Sequence, residues 1–241
     1  MSKESVISLY TVREYFKNIL RSAIKGPERI DLPLTKLLEA MSTKGPLTFV
    51  QIGSNDGLKN DPIGNLIKQY KWKGIMVEPF ESNFSKLKEN FNGYSGLVFE
   101  QCGITDRSGE RDFFYIEDIG PDEPDWYDQV GSFDKTTFLK NIEVVPDLSR
   151  RMAIKKISTK TFDELLSEHK MQHVDILHLD TEGYDYKILL TIDFKKFQPT
   201  VVIFENEWMT QYELKEIKNY FKKFNYKLYY HHVDCIAVKR S

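Results

Sequence analysis

Apolar residues recur at helical spacing through the first part of the chain and then gather into short runs. Between residues 4 and 25, Leu9, Val12, Phe16, Ile19 and Leu20 belong to an amphipathic helix that Gly26-Pro27 stops. A second short helix is predicted after Pro33, with Leu34, Leu37, Leu38 and Met41 on one side, ending before Gly45-Pro46. Together they make a helical cap over 1–45, either packed on the core or acting as a lid over a substrate. From Leu47 the rhythm changes. Strands are predicted over 48–52, 74–78, 96–102, 174–180 and 200–205, alternating with helices over 61–70, 82–91, 161–169, 186–190 and 211–224. That alternation specifies βαβ units and a parallel sheet.

The chain closes with apolar runs over 226–230 and 235–239 around the turn His231-His232-Val233-Asp234, an antiparallel hairpin at the sheet edge. One segment breaks the βαβ count. Strand-like runs over 112–116 and 153–158 enclose an acidic, proline-containing loop over 117–134 and a short helix near 136–142. The expected fold is therefore α/β: a doubly wound, Rossmann-like, mostly parallel seven-stranded sheet with an antiparallel C-terminal hairpin and an inserted β-hairpin and loop. At 241 residues one domain is expected, 1–241, with its core over 46–241. Long loops inside compact domains often bind substrate, so 117–134 is expected to contact an acceptor.

Composition narrows the partners. Apolar residues make up 41% and no run approaches the roughly 20 needed to span a bilayer, so no membrane span is expected. Arg13, Lys17 and Arg21 replace the apolar stretch of a signal peptide, which makes the cytoplasm the expected location. The net charge of −2 and the lack of basic runs interleaved with aromatics argue against nucleic acid as a partner. Cys102 and Cys235 have no CxxC spacing and are expected to be buried thiols.

The first core strand ends in Ile52-Gly53-Ser54-Asn55-Asp56-Gly57, a glycine turn that allows close backbone approach to a ligand at the switch point of the sheet. The second ends in Val77-Glu78-Pro79. Glu78 follows Gly57 by 21 residues, where a carboxylate accepts both hydroxyls of a ribose. A third glycine of the dinucleotide fingerprint is missing, which counts against a pyrophosphate ligand and a nicotinamide-dependent oxidoreductase.

These two motifs join Cys102-Gly103-Ile104-Thr105-Asp106, the stretch 157–165, Val174-Asp175-Ile176-Leu177-His178-Leu179-Asp180-Thr181-Glu182-Gly183-Tyr184-Asp185, and Val202-Ile203-Phe204-Glu205. As a set, from about Leu47 to Val238, they resemble the FkbM family of class I S-adenosylmethionine-dependent methyltransferases. The resemblance implies S-adenosylmethionine as cofactor, with Gly53, Ser54, Asn55 and Gly57 around its methionine part. It further implies Glu78, followed by Pro79, on the ribose, and Gly103 and Ile104 beside the adenine. It also favours a sugar hydroxyl in a glycan as acceptor. His178 and Asp185 depart from the family's usual lysine and glutamate.

A hydroxyl is a poor nucleophile and needs a base or a metal ion. Asp180 ends the fourth core strand and Glu205-Asn206 end the fifth, so Asp180 and Glu205 are candidate catalytic residues. With Asn206 they make a candidate oxygen-ligand set for Mg2+ or Mn2+; without metal, Asp180 and Glu182 shape the turn and bind substrate. His231 and His232, in a turn on the ligand side, are alternative bases, whereas His178 is read as a core histidine. Trp126, Tyr127 and Trp208 are candidate stacking surfaces for a sugar ring. Competing readings are methylation of a small natural-product hydroxyl or an amide nitrogen, and a non-catalytic cofactor-binding module.

Overall fold

The computed structural model describes residues 34–231 and 233–240. The predicted helix over 4–25, His232 and Ser241 lie outside them. In chain order the elements are α1 (Leu34–Ser42), β1 (Thr48–Ile52), α2 (Gly64–Tyr70), β2 (Lys73–Val77), α3 (Glu81–Asn90), β3 (Leu97–Glu100), β4 (Gly103–Ile104), β5 (Gly109–Ile116) and β6 (Gly131–Ser132). Then follow α4 (Lys135–Lys140), α5 (Leu148–Arg151), β7 (Met152–Lys160), α6 (Phe162–Glu168), β8 (Ile176–Leu179), α7 (Asp185–Thr191), β9 (Val201–Glu205), α8 (Gln211–Lys223), β10 (Tyr226–His231) and β11 (Asp234–Lys239).

The main sheet has seven strands in the order β10-β11-β9-β8-β1-β2-β3. β3, β2, β1, β8 and β9 run parallel, and β11 is antiparallel to both β9 and β10. The expected fold class and hairpin are thus present. Alternation along each strand feeds two apolar layers, which is why the strands read as unbroken apolar runs. Val50, Ile52, Leu177, Leu179 and Val202 pack with Phe162, Leu165, Ile188, Ile217 and Phe221 on one face. Phe49, Met76, Ile176 and Ile203 pack with Leu37, Leu38, Leu66, Ile67 and Leu87 on the other. β1 is followed by a connection toward β2 on one side while β8 lies on the other, so the strand order reverses between them and a crevice opens at their carboxyl ends.

The inserted segment is more than a hairpin. β5 and β7 pair antiparallel over Gly109–Ile116, and with β4 and β6 they form a second sheet ordered β4-β7-β5-β6. The strand predicted over 96–102 consequently stops at Glu100, and Gly103–Ile104 crosses to pair with Thr159 and Lys160. A satellite core of Ile116, Tyr127, Val130, Phe138, Val145 and Leu148 lies under the 117–134 segment. The helix predicted from residue 61 begins at Gly64 instead. Asp61 Oδ1 accepts from the amides of Ile63 and Gly64, both at 2.8 Å, and holds that corner outside the helix.

Candidate active site

A cavity opens at the carboxyl ends of β1, β2 and β8. One wall is the turn after β1. Gly53 has φ +79°, and a Cβ there would stand 1.7 Å from the carbonyl oxygen of Asp180, so glycine alone lets β1 exit against the end of β8. The amides of Gly53 and Ser54 both donate to the Val77 carbonyl, at 3.0 and 2.9 Å, tying this turn to β2. Asn55 then adopts a left-handed conformation, φ +48°, and its amide donates to Glu78 Oε2 at 2.9 Å. The Phe80 amide donates to Glu78 Oε1 at 2.8 Å. The carboxylate is fixed by its neighbours while each oxygen keeps a further lone pair for a ligand. Burial raises its pKa to about 7.

Ser54, Asn55, Pro79, Gly103 and Ile104 also line this cavity. Gly57 does not. Its positive φ serves packing, because a Cβ would meet Phe91 and Leu87 at 2.5 and 2.6 Å.

A polar wall that sequence reasoning missed faces these residues. Gln51 and His178 are register partners on β1 and β8. Gln51 Nε2 donates to Asp61 Oδ2 at 2.5 Å and lies 3.0 Å from His178 Nδ1, which places the ring proton on Nε2. Burial holds His178 down at about 4, hence neutral, and lifts Asp61 to about 6. Gln51 Oε1 is buried without a hydrogen-bond partner. The available signal was one polar residue inside each of two apolar strands, Gln51 and His178. His178 is buried as read, yet it also lines the cavity.

The third wall is the turn after β8, with Asp180, Thr181 and Glu182. Glu182 sits in the left-handed region, φ +50°, a strained conformation for a non-glycine residue that is often found at functional sites. Asp185 holds the turn. Its Oδ2 accepts from the Thr181 amide at 3.0 Å and from the Thr181 hydroxyl, and its Oδ1 accepts from the Glu205 amide at 3.3 Å. Burial, then the charges of Glu182, Asp185, Asp234 and Asp61, drive the Asp180 pKa well above the carboxylate range. Burial and the nearby acids Glu182 and Asp180 do the same to Glu205. Burial and Asp185 raise Glu182 to about 7; the Trp208 indole opposes this without closing a well-formed hydrogen bond.

Glu205, Asn206 and Trp208 lie at the end of β9 and are not among the residues lining the cavity. Glu205 Oε2 and Asn206 Nδ2 are buried without hydrogen-bond partners. His231 ends β10, with Asp234 opposite it in register and paired with Glu205 on its other side, so the turn between them is at the carboxyl end of the sheet. Among the described residues, Glu100, Glu168 and His169 are the acid and histidine trio with ligand atoms within 4.8 Å. Lys160 already pairs with both acids of that trio.

The 117–134 segment roofs the cavity. A 3-10 turn, Asp125–Gln129, places Tyr127, Asp128 and Gln129 in the lining. Trp126 is not part of the lining; it meets Tyr127 edge-on at 4.6 Å and packs on the satellite core. Cys102 lines the cavity as a buried thiol pushed up to about 12, and Cys235 is likewise buried.

The buried acids give stability a definite pH dependence. Glu78 and Asp61, with folded values of about 7 and about 6, hold protons that ordinary carboxyls of the unfolded chain release nearer 4. Their contribution is fully present below about pH 4 and is lost as pH rises through 6 and 7, by roughly 3 kcal/mol for Glu78 alone. The ligand-free melting temperature should therefore fall between pH 5 and pH 8, with a shallower slope in Glu78→Gln. A flat profile by scanning calorimetry contradicts this.

A sequence profile for the methyltransferase FkbM domain matches residues 51–228. No curated protein matches the chain. Among solved structures, a methyltransferase FkbM from Methylobacillus flagellatus KT is similar over 99% of this chain and 55% of that one, with 14% identity and a TM-score of 0.50. The chain thus spans about half the length of that protein. An O-methyltransferase from Bacillus cereus in complex with SAH has 10% identity and a TM-score of 0.40, covering 95% and 91% of the two chains. A ribosomal protein L11 methylase from Lactobacillus delbrueckii subsp. bulgaricus has 10% identity and a TM-score of 0.41, covering 86% and 77%.

Proposed function

Because the chain belongs to the FkbM family of S-adenosylmethionine-dependent methyltransferases, we propose that it methylates a hydroxyl of an uncharged sugar in a glycan or glycoconjugate. The observation that carries this reading is Asp180, a half-buried carboxylate with a raised pKa on the cavity wall against Gly53. The cofactor's cradle is the turn 53–55 with Glu78, Pro79, Gly103 and Ile104, where Glu78 takes the ribose hydroxyls. When bound, the cofactor supplies a sulfonium-activated methyl group. Asp180 would take the proton of the acceptor hydroxyl as its oxygen is methylated. A carboxylate whose pKa is raised by its surroundings is a stronger base than a free one.

Charge supports a neutral acceptor. Asp61, Glu78, Asp180 and Glu182 line the cavity, while lining Lys59 is paired with Asp128. Anionic acceptors meet like charge there once these acids, whose pKa values are raised, give up their protons. Tyr127 offers a ring for a sugar's C–H face, and Glu182 a hydrogen-bonding partner. A second reading, favoured by Glu205 Oε2 lacking a hydrogen bond among mutually repelling acids, has Asp180, Glu205 and Asn206 hold a divalent ion; Mg2+ or Mn2+ there would lower the acceptor's pKa, with Asp180 a ligand in place of the base. Methyl-labelled cofactor, incubated with neutral glycosides, uronates, nucleotide sugars, phenolic or macrolide alcohols and amides, with and without chelator, tests both points. Label on neutral glycosides is expected. Label confined to amides or non-sugar alcohols overturns the acceptor class, and undiminished turnover after exhaustive chelation overturns the metal.

A further inference from the structure

The roof of the cavity is held in two unlike ways at its two ends. At its base, Arg151 forms a two-pronged pair with Glu123, both contacts at 2.6 Å, and the Glu117 amide donates to the Arg151 carbonyl at 2.9 Å. Tyr127 and Val130 anchor it in the satellite core. Across the cavity the attachment is polar throughout. Asp128 pairs with Lys59 at 3.3 Å and Lys86 at 2.8 Å, and its carbonyl accepts from Asn83 Nδ2 at 3.0 Å. Asn60 Nδ2 donates to Gln129 Oε1 at 3.2 Å. The Asp128 side chain is 26% exposed, and those of Lys59 and Lys86 are 24% and 51% exposed. Partly exposed ion pairs of this kind are individually weak and screened by salt.

We infer that the Asp128-Gln129 tip of the roof forms a gate for cofactor exchange, latched by Asp128 to Lys59 and Lys86 and hinged at Tyr127 and Val130 on the satellite core. This rests on the cofactor occupying the cavity below, as proposed above. The same residues line the cavity and reach its far wall, so a molecule seated beneath them is enclosed while the latch is closed. Opening breaks the polar contacts at the tip and leaves the apolar base packed. Regions held by few apolar contacts open locally at low free energy.

A gate changes how fast a ligand enters and leaves; a mere wall changes how tightly it binds. Trp126, beside the gate and against the hinge residue Tyr127, is a built-in fluorescence reporter. Stopped-flow mixing of the full chain with S-adenosylhomocysteine (SAH) gives both rate constants, and calorimetry gives the equilibrium. In Asp128→Asn the association and dissociation rates should both rise about five- to tenfold, with Kd changed by less than about threefold. Lys86→Met, which leaves the cavity lining intact, should raise both rates less, and raising salt should accelerate exchange in the wild type. Unchanged rates in both variants and at high salt overturn the gate. Faster dissociation alone, with Kd weakened by the same factor, also overturns it and makes the segment a wall. Absence of SAH binding heat in the wild type overturns the cofactor reading itself, an outcome distinct from these.

Discussion

Asp180→Asn should lower turnover by about 10²- to 10⁴-fold while cofactor affinity stays within a few-fold of wild type. Asparagine keeps the size and the hydrogen-bonding shape of the side chain but cannot take a proton. The interaction lost exists mainly in the transition state, where the hydroxyl proton is leaving, so kcat carries the loss. The environment of Asp180 explains why it is matched to this role. It is half-buried, and desolvation together with Glu182, Asp185, Asp234 and Asp61 disfavours its ionised form. Since a base must be deprotonated to act, wild-type turnover should rise with pH until Asp180 ionises and then level off. The residual rate of the Asn variant should lack that limb. Methyl-transfer kinetics between pH 5 and pH 9, with calorimetry of SAH on the same samples, check both parts. A variant that keeps wild-type turnover removes Asp180 from the chemistry and makes His231 the next residue to test.

The second large effect is expected at Glu78. Replacing it with alanine should weaken cofactor binding by about 1.5–3 kcal/mol, the range for hydrogen bonds to a charged group. Two losses combine there. The ribose hydroxyls lose their shared acceptor, and the amides of Asn55 and Phe80, now fixed by Glu78, lose theirs. Glu78→Gln separates them, because it retains an acceptor at one position only and removes the charge. Its deficit should be smaller than that of alanine, and the wild type should bind more weakly below pH 7, where Glu78 takes up a proton. Calorimetric affinities that are the same in all three proteins would remove the ribose from Glu78.

What the sequence disclosed follows from the range of the interactions involved. β1, β2, β8 and β9 were legible because strands buried on both faces are apolar throughout and end at turn residues such as Gly53 and Pro79. The glycine turn, Glu78 and the pair Gly103-Ile104 were legible as motifs, and all but Asp56 and Gly57 meet in one cavity. The Gln51, Asp61 and His178 wall was not. It depends on β1 and β8 being neighbours in register, a fact of strand order that no local pattern encodes. The second sheet was missed for the same reason, since β4 pairs with β7 across more than fifty residues. Trp126 illustrates another limit. An aromatic in an acidic loop reads as a ligand surface, yet here the loop carries its own small core and Trp126 packs into it.

A crystal structure of the full chain with SAH would show whether the cofactor occupies the cavity between β1, β2 and β8. Ribose hydroxyls within hydrogen-bonding distance of Glu78, adenine beside Gly103 and Ile104, and the sulfur turned toward Asp180 are expected. Adenosine bound away from Glu78, or a cavity left empty while SAH occupies another surface, would contradict that placement.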